Sequence, residues 1–241
     1  MNLAGKTILV TGGARRIGRT ISLAAAQAGA NVIIHHNHSQ PDAEKVAEEI
    51  RGFGSQAWIL QADLEDPTQA TGLFDRIRAL SPVDALINNA AIFAPGSALT
   101  TTLEIWQQHL AINLTAPFIL SQAFARQRLP DQEGRILNIL DWRALRPGVD
   151  HFAYTISKAA LAAMTQSLAV SFAPHIIVNG LAFGAILPPA DGGITDKILQ
   201  PVPAKRWADL DEVAKMVVFL LSGPTYMTGE IIHLDGGRHL V

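Results

Sequence analysis

Short apolar runs alternate with longer amphipathic segments along nearly all of this 241-residue chain. Continuous apolar runs are typical of strands buried on both faces, whereas apolar residues at helical spacing are typical of helices. A strand, a helix and a neighbouring strand form a crossover, which makes the two strands parallel. The predicted strands are Lys6–Thr11, Asn31–His35, Ala57–Gln61, Asp84–Asn88, Arg135–Leu140, Ile176–Gly180 and Ile231–Leu234, and the predicted helices are Ile17–Ala28, Asp42–Arg51, Thr68–Ala79, Leu103–Gln127 and Phe152–Phe172.

This alternation predicts a three-layer α/β fold, in which a doubly wound parallel sheet lies between two layers of helices, as in the Rossmann fold. The sequence contains no linker and no internal repeat, so we expect residues 1–241 to form a single domain. The segment Phe183–Trp207 breaks the alternation with prolines and the pair Gly192-Gly193. Because it follows the carboxyl end of a strand, we expect residues 183–207 to form a substrate lid.

The composition excludes several classes of function. A formal net charge of −2 leaves no basic surplus for a nucleic acid or a membrane surface. No apolar run approaches the ~20 residues that cross a bilayer. The absence of cysteine excludes disulfides and thiolate metal sites. The first strand pattern begins at Lys6, which leaves no room for a signal peptide, and we expect a cytoplasmic protein.

A glycine-rich turn, Thr11-Gly-Gly-Ala-Arg-Arg-Ile-Gly18, joins the first strand to the first helix. Gly12 permits a tight turn, and Gly18 permits close packing of the helix on the strand. The start of the helix then offers backbone N–H groups to a pyrophosphate. After the first strand of an α/β chain, this turn predicts a dinucleotide site, the alternative being a glycine turn without a ligand.

The end of the second strand selects between the two nicotinamide cofactors. An NAD site usually has an acidic residue there to bind the ribose hydroxyls, but the segment His35-His-Asn-His-Ser39 has none. Arg15 and Arg16 in the adjacent turn suit a 2′-phosphate, which favours NADPH over NADH. The competing interpretation of the histidines is a metal site. His36 and His38 share one face of a strand without a third ligand nearby, so we expect no metal.

Tyr154-Thr-Ile-Ser-Lys158 places a tyrosine and a lysine on one face of a helix. A nearby ammonium favours the phenolate, so the pair is suited to proton transfer. Asp141 lies thirteen residues before Tyr154. A carboxyl group there can hydrogen-bond or protonate a nitrogen-rich edge, for which a serine hydroxyl is a poorer acid. The alternative role of Asp141 is to cap the loop before the long helix.

Together these residues resemble the classical short-chain dehydrogenase/reductase family over nearly the whole chain. The resemblance also rests on Asn88-Asn89-Ala90, on Asn113 in the long helix and on Val178-Asn179. It implies that Asn113, Tyr154 and Lys158 are catalytic. The tyrosine would donate the proton, and the lysine would bind the nicotinamide ribose and make the tyrosine more acidic.

Four positions depart from the common pattern of that family. Arg16 replaces glycine, His35–Ser39 is rich in histidine, Phe93 follows the Asn-Asn-Ala motif, and Asp141 replaces serine. With the closing segment Leu234–Leu240, they look like the pteridine reductase branch, which includes bacterial dihydromonapterin reductases. The resemblance implies that Phe93 stacks on a pterin and that Asp141 helps to handle protons. The implied substrate-binding residues are Arg16, Phe93, Asp141 and Tyr154.

Further residues are expected to contact the cofactor. Asp63 could accept a hydrogen bond from the adenine amino group, cap the following helix, or do both. Phe183-Gly184 stands where the family commonly has Pro-Gly, and Ala91 and Ile186 stand where eukaryotic pteridine reductases have serines. The full predicted set is Gly12, Arg15, Arg16, Ile17, Gly18, His36, Asn37, His38, Ser39, Ala62, Asp63, Leu64, Asn89, Ala90, Ala91, Tyr154, Lys158, Phe183 and Gly184.

The expected function is that of an NADPH-dependent reductase of dihydropterins, with dihydrofolate as a further candidate substrate. One alternative is a carbonyl reductase, for example of 3-oxoacyl thioesters, which would prefer serine at position 141. The alternative of another class is a catalytically idle NADPH-binding sensor. The intact Asn113, Tyr154 and Lys158 argue against a sensor, because binding alone needs no proton donor.

Self-association is also expected. The predicted helices Leu103–Gln127 and Phe152–Phe172 are apolar over much of their surface, and such helices must be buried. The family resemblance implies that they pair across a dimer and that two dimers form a homotetramer. It also places Arg238–Val241 near a neighbouring subunit's site.

Overall fold

Seven parallel strands form one sheet in the computed structural model, which describes residues 1–128, 132–188 and 196–241. The strand order β3-β2-β1-β4-β5-β6-β7 confirms the predicted doubly wound fold. The strands are β1 Thr7–Val10, β2 Asn31–His36, β3 Ala57–Gln61, β4 Ala85–Asn88, β5 Gly134–Asp141, β6 Ile176–Phe183 and β7 Ile231–Leu234. The α-helices are α1 Arg16–Gln27, α2 Gln40–Gly52, α3 Pro67–Arg78, α4 Leu103–Leu110, α5 Ala116–Gln127, α6 Phe152–Phe172, α7 Asp196–Leu199 and α8 Leu210–Ser222.

The helices cover both faces of the sheet, as the apolar pattern of the strands requires. Along β1, Ile8 and Val10 pack with α1, α2 and α8, whereas Leu9 packs on the opposite face with α3, α5 and α6. Side chains of a strand alternate between faces, so an unbroken apolar run fills both layers. No helix of the described residues is both long and apolar enough to cross a membrane.

The long helix predicted for residues 103–127 is interrupted by a π-helical turn, Ala111–Thr115, between α4 and α5. Pro117 has no N–H to donate to the carbonyl of Asn113 four residues earlier. The chain instead widens, and the Ala116 N–H bonds to the Ala111 carbonyl, five residues back. The proline was the available sequence signal for this interruption.

Most other limits differ from the predictions by two residues or fewer, but larger differences occur at β6 and α8. β6 extends three residues beyond the predicted end, to Phe183, because Leu181–Phe183 pair with β5 and β7. α8 was not predicted, although its capping box, Asp209 with Glu212, is a helix-start signature. Residues 189–195 of the predicted lid, including Gly192-Gly193, lie outside the described residues.

A chain of buried amides and hydroxyls crosses the sheet. Asn88 Nδ2 donates to Asn138 Oδ1 over 2.8 Å and to Ser121 Oγ over 3.3 Å. Asn138 Nδ2 donates to Thr165 Oγ1 over 2.9 Å. All four side chains are buried. The network joins β4 and β5 to α5 and α6, and it fixes the relative positions of these elements.

We expect Asn138→Ala to lower the free energy of unfolding by about 2–4 kcal/mol, since it leaves the buried groups of Asn88 and Thr165 without their partner. Urea unfolding followed by circular dichroism measures the loss. The control Asn2→Ala removes an exposed amide and should change the value by less than about 0.5 kcal/mol. An equal effect of the two substitutions would contradict the role given to the network.

Candidate active site

The sheet order reverses direction between β1 and β4, and a cleft opens at the carboxyl ends of these strands. The cleft has a volume of about 1160 Å³ and extends past the ends of β5 and β6. Ligands of doubly wound folds bind at such a reversal, because the loops of neighbouring strands diverge there.

Thr11 ties the two sides of the cleft together. Its Oγ1 accepts hydrogen bonds from the backbone N–H groups of Asn89, over 2.9 Å, and Ala90, over 3.0 Å. Asn89 Nδ2 donates in return to the carbonyls of Thr11 and Gly12. The Asn-Asn-Ala motif therefore holds the glycine turn in place from the neighbouring strand.

The glycine turn needs its glycines for space. A Cβ at Gly18 would lie 1.9 Å from the Gly12 carbonyl oxygen, so no larger residue fits without a shift of the backbone. Arg16, the first residue of α1, has a φ of 50°. This left-handed conformation favours glycine, the residue that the family pattern has at this position and that Arg16 replaces.

Arg15 and Arg16 both line the cleft beside the glycine turn. Arg16 Nη2 donates to the Pro188 carbonyl over 2.9 Å and so connects the turn to the segment after β6. Arg15 Nε lies 3.5 Å from Asp42 Oδ2 in an exposed ion pair, which contributes little to stability. Among the described residues neither arginine forms a buried ion pair, so neither positive charge is neutralised inside the protein.

The end of β2 contributes a histidine that the sequence analysis did not select for the site. His35 Nδ1 accepts from the Gly12 N–H over 3.1 Å, and its Nε2 lies 3.0 Å from the Ala62 carbonyl oxygen. Burial lowers the pKa of His35 to about 4, which keeps the ring neutral. His35 lines the cleft, whereas the predicted His36 is buried outside the lining, and its two ring nitrogens have no hydrogen-bond partner among the described residues.

Asp63 lies in the cleft wall but does not cap α3, contrary to one of its two predicted roles. Its Oδ1 accepts from the Glu65 N–H over 3.0 Å within a turn. Asp66 is the N-cap instead, since its side chain accepts from the Thr68 N–H over 2.8 Å. Asp63 Oδ2 has no protein hydrogen bond among the described residues and is free to accept one from a ligand.

Asp141, Tyr154 and Lys158 converge at the base of the cleft. Tyr154 Oη donates to Asp141 Oδ2 over 3.2 Å, while Asp141 Oδ1 accepts from the Arg143 N–H over 2.9 Å. The carboxyl group therefore both caps the short turn Trp142–Ala144 and reaches the tyrosine. Lys158 is buried, and its Nζ donates to the Ile139 carbonyl over 2.7 Å.

Burial sets the protonation of this group. It raises the pKa of Asp141 above its ordinary value, and it raises the pKa of Tyr154 well above its ordinary value, with the negative Asp141 as a second cause. It lowers the pKa of Lys158 to about 8, while Asp141 acts in the opposite direction. Lys158 Nζ lies 5.8 Å from the centre of the Tyr154 ring, and its effect on the acidity of Tyr154 stays a prediction.

Asn113 lies in the π-helical turn behind the tyrosine rather than in the cleft lining. Its Oδ1 accepts from the Ile92 N–H over 2.9 Å, and its Nδ2 donates to the Ile92 carbonyl and to Ser157 Oγ. Ser157 Oγ in turn donates to the Tyr154 carbonyl over 2.7 Å. The Asn113 side chain thus connects the segment after β4 to the helix that carries Tyr154.

Phe93 is 54% exposed and sits at the mouth of the cleft. Its ring stacks on His151 with centroids 3.9 Å apart and meets the Tyr154 ring edge-on at 4.6 Å. The Arg143 guanidinium lies 5.9 Å from the centre of the Phe93 ring. His151 and Arg143 were missed from the sequence, although both belong to the loop that joins Asp141 to α6.

The structure brings most of the predicted site residues into one cleft. The members that lie outside its lining are His36, His38, Ser39, Ala62 and Asn113. The members that line it are Gly12, Arg15, Arg16, Ile17, Gly18, Asn37, Asp63, Leu64, Asn89, Ala90, Ala91, Phe93, Asp141, Tyr154, Lys158, Phe183 and Gly184.

Comparison with known proteins gives matches over the full length of the chain. A family model described as enoyl-(acyl carrier protein) reductase matches residues 12–239. The 3-oxoacyl-(acyl-carrier-protein) reductase of Aquifex aeolicus is 35% identical over 245 residues, which cover 98% of both chains.

Solved structures give equally extensive matches. FolM alternative dihydrofolate reductase 1 from Brucella canis, complexed with NADP, has a TM-score of 0.92 and 36% identity over 100% of this chain and 97% of its own. A short chain dehydrogenase from Burkholderia cenocepacia, in complex with NADP, has a TM-score of 0.92 and 36% identity over 99% of both chains. With the glycine turn and the Tyr154–Lys158 pair at the reversal of a parallel sheet, these matches show that the chain belongs to the short-chain dehydrogenase/reductase family of oxidoreductases.

Proposed function

We propose that this protein is an NADPH-dependent reductase that transfers hydride to a dihydropterin. The observation that carries the proposal is the 3.2 Å hydrogen bond from Tyr154 Oη to Asp141 Oδ2, beside the exposed ring of Phe93. A carboxyl group next to the proton donor suits a substrate whose reacting atom is nitrogen. The aromatic ring at the mouth of the cleft suits a flat heterocycle.

The residues at the glycine turn fit an NADP cofactor. The first turn of α1 has no acidic residue, and Arg15 and Arg16 add positive charge beside it. A phosphate can replace the weak exposed contact of Arg15 with Asp42. Asn37 lines the cleft where an NAD site would have a carboxylate. The Brucella canis and Burkholderia cenocepacia structures, both NADP complexes, support the same cofactor.

The reaction needs a hydride, which NADPH supplies when bound, and a proton for the nitrogen of the reduced bond. The Tyr154 hydroxyl is protonated at neutral pH, since an ordinary tyrosine keeps its proton there and burial raises the pKa of Tyr154 further, so it has a proton to donate. Asp141, whose pKa burial also raises, can return a proton to Tyr154 across their hydrogen bond. Lys158 stabilises the tyrosinate as it forms, and Asn113 holds Tyr154 in position through Ser157.

The segment after β6 is proposed to be the lid of this site. Ile186 and Leu187 line the cleft from one end of that segment, and Ile198 and Trp207 line it from the other. The Arg16–Pro188 hydrogen bond joins the lid to the glycine turn. Closure over the cleft would exclude water from the reacting atoms.

We further propose that the protein is a homotetramer built from dimers. Exposed apolar side chains on the helices of one layer, Leu103, Phe118, Ile156 and Val170, support this assembly. Val170 is 83% exposed on α6, and a partner helix would bury it.

The alternative substrate class is a 3-oxoacyl thioester, which the Aquifex aeolicus relative favours. Reduction of such a ketone also uses a tyrosine and a lysine, but a carbonyl reductase is expected to prefer a serine at position 141. A replacement of Asp141 therefore distinguishes the two classes.

Asp141→Ser is expected to lower kcat/KM for a dihydropterin by about 100-fold, the usual size of a lost general acid. The rate of NADPH consumption with a dihydropterin and with an acetoacetyl thioester gives the comparison. The control Asp211→Ser removes an exposed carboxylate on α8 and should leave both rates unchanged. Ketone turnover without pterin turnover in the wild type would overturn the pterin assignment and favour the carbonyl reductase.

Arg16→Gly should weaken the binding of the cofactor without lowering the stability of the fold. Glycine relieves the left-handed backbone strain of about 1 kcal/mol, so the free energy of unfolding should not fall. The KM for NADPH should rise by about 10-fold, because a cation beside the cofactor's phosphates is lost. Arg19→Ala, in the same helix but outside the cleft lining, is the control for charge alone. An unchanged KM would argue against a cofactor contact for Arg16.

The value of kcat/KM for pterin reduction should fall as the pH rises above about 8, where the buried Lys158 loses its proton. Below that pH the ammonium is present and stabilises the tyrosinate. Because Asp141 raises the pKa of Lys158, the fall should begin at lower pH in Asp141→Asn. Rates from pH 6 to 10, with circular dichroism to detect unfolding, test this. A flat profile up to pH 10 would contradict the role of Lys158.

A further inference from the structure

Two arginines, Arg143 and Arg238, flank the indole ring of Trp142, which lines the cleft. The Arg143 guanidinium lies 4.6 Å from the centre of the indole ring, and the Arg238 guanidinium lies 4.2 Å from it. Arg146 belongs to the same loop, and its N–H donates to the Trp142 carbonyl over 3.2 Å. Arg143, Arg146 and Arg238 are referred to below as the distal arginine cluster.

The cluster is connected to the reacting groups by a short series of contacts. The Tyr154 ring meets the Phe93 ring at 4.6 Å, and the Arg143 guanidinium lies 5.9 Å from the Phe93 ring. Trp142 and Arg143 both line the cleft. A substrate whose ring lies against Phe93 would therefore have the Arg143 guanidinium within reach of its remaining part.

The positive charge of the cluster is only partly neutralised by the protein. Arg143 Nη2 donates to Asp150 Oδ2 over 3.1 Å, and Arg238 Nη1 donates to the Val241 carbonyl over 2.7 Å. The nearby Asp235 is already engaged by His239, whose Nδ1 lies 2.8 Å from Asp235 Oδ2.

Arg146 is the member with the least compensation. Its guanidinium is exposed and forms no hydrogen bond or ion pair with the described residues. Desolvation, followed by the repulsion of Arg146 and Arg143, lowers the pKa of Arg238. Neighbouring guanidinium groups that repel one another gain stability from a bound anion, particularly where they can bind it through paired hydrogen bonds.

We propose that the distal arginine cluster binds an anionic tail of the substrate, remote from the ring or carbonyl that is reduced. The cluster selects tailed substrates over neutral analogues with the same reacting group. This inference rests on the proposed reductase activity but not on the pterin ring. The anion is a carboxylate or a phosphate, as in the glutamyl tail of a folate or the phosphates of a coenzyme A thioester.

Two matched substrate pairs test the proposal. Dihydrofolate has a glutamyl tail, whereas dihydrobiopterin has the same ring system with a neutral side chain. Acetoacetyl coenzyme A has phosphates, whereas the acetoacetyl thioester of N-acetylcysteamine has none. NADPH consumption is measured for all four substrates with the wild type, Arg146→Gln and Arg238→Gln. Arg78→Gln, an exposed arginine on α3, controls for the change in net charge.

In Arg146→Gln and Arg238→Gln, the KM for the tailed member of the pair that is turned over should be about 10-fold higher than in the wild type. The value of kcat and the KM for the neutral member should be unchanged. Compared with Arg146→Gln, Arg146→Lys should restore part of the affinity for the tailed substrate. In the wild type, added salt should weaken that affinity. The pair that shows the effect identifies the anion as a carboxylate or a phosphate.

Equal effects on both members of a pair, or no effect on either, would overturn the anionic-tail proposal even if the enzyme reduces pterins. If only the acetoacetyl pair is reduced, the pterin assignment fails while the tail proposal is decided by that pair. If neither pair is reduced, both proposals fail. Because Arg146 has no side-chain partner among the described residues, its replacement should not disturb folding, and circular dichroism checks this.

Discussion

The Thr11 hydroxyl connects the two halves of the sheet at the point where the strand order reverses. It accepts hydrogen bonds from the backbone of Asn89 and Ala90, on the far side of the cleft from the glycine turn. The turn itself is closely packed, since Gly18 leaves no space for a Cβ. A rigid turn beside β4 fixes the start of α1, and the positions of Arg15 and Arg16 follow from it. The proposed cofactor site is thus held by β4 as well as by β1.

Charge is distributed unevenly along the cleft, and the proposed chemistry depends on that distribution. The end near the glycine turn carries Arg15 and Arg16, which suit phosphates. The base carries Asp141, and burial raises the pKa of its carboxyl group so that it can take part in proton transfer. The raised pKa makes this carboxyl group easier to protonate than an exposed aspartate, as the proposed return of a proton to Tyr154 requires. The desolvation that disfavours its charge is therefore part of its proposed role.

The fold could be predicted from the sequence because it depends on patterns that a strand or helix carries in itself. The limits of β3, β7 and α6 were predicted as observed, since apolar runs and turn residues define them. The extension of β6 could not be predicted, because it depends on pairing with β5 and β7. The π-helical turn was missed because it changes the helical spacing by a single residue. In the site, the position of Asp141 could be inferred from chain order, whereas the contact of His151 with Phe93 depends on how two distant loops pack.

The histidines at the end of β2 and in the loop that follows it show how burial decides between roles that the sequence leaves open. Alternation along a strand correctly separates His35 from His36, but it does not say which face is lined by the cleft. The structure turns His35 towards the glycine turn, where it is held neutral between the Gly12 N–H and the Ala62 carbonyl. His36 is buried, and its ring nitrogens form no hydrogen bond with the part of the chain that the structure describes. Of these histidines His35 therefore lines the cleft, whereas the buried His36 and the exposed His38 lie outside its lining.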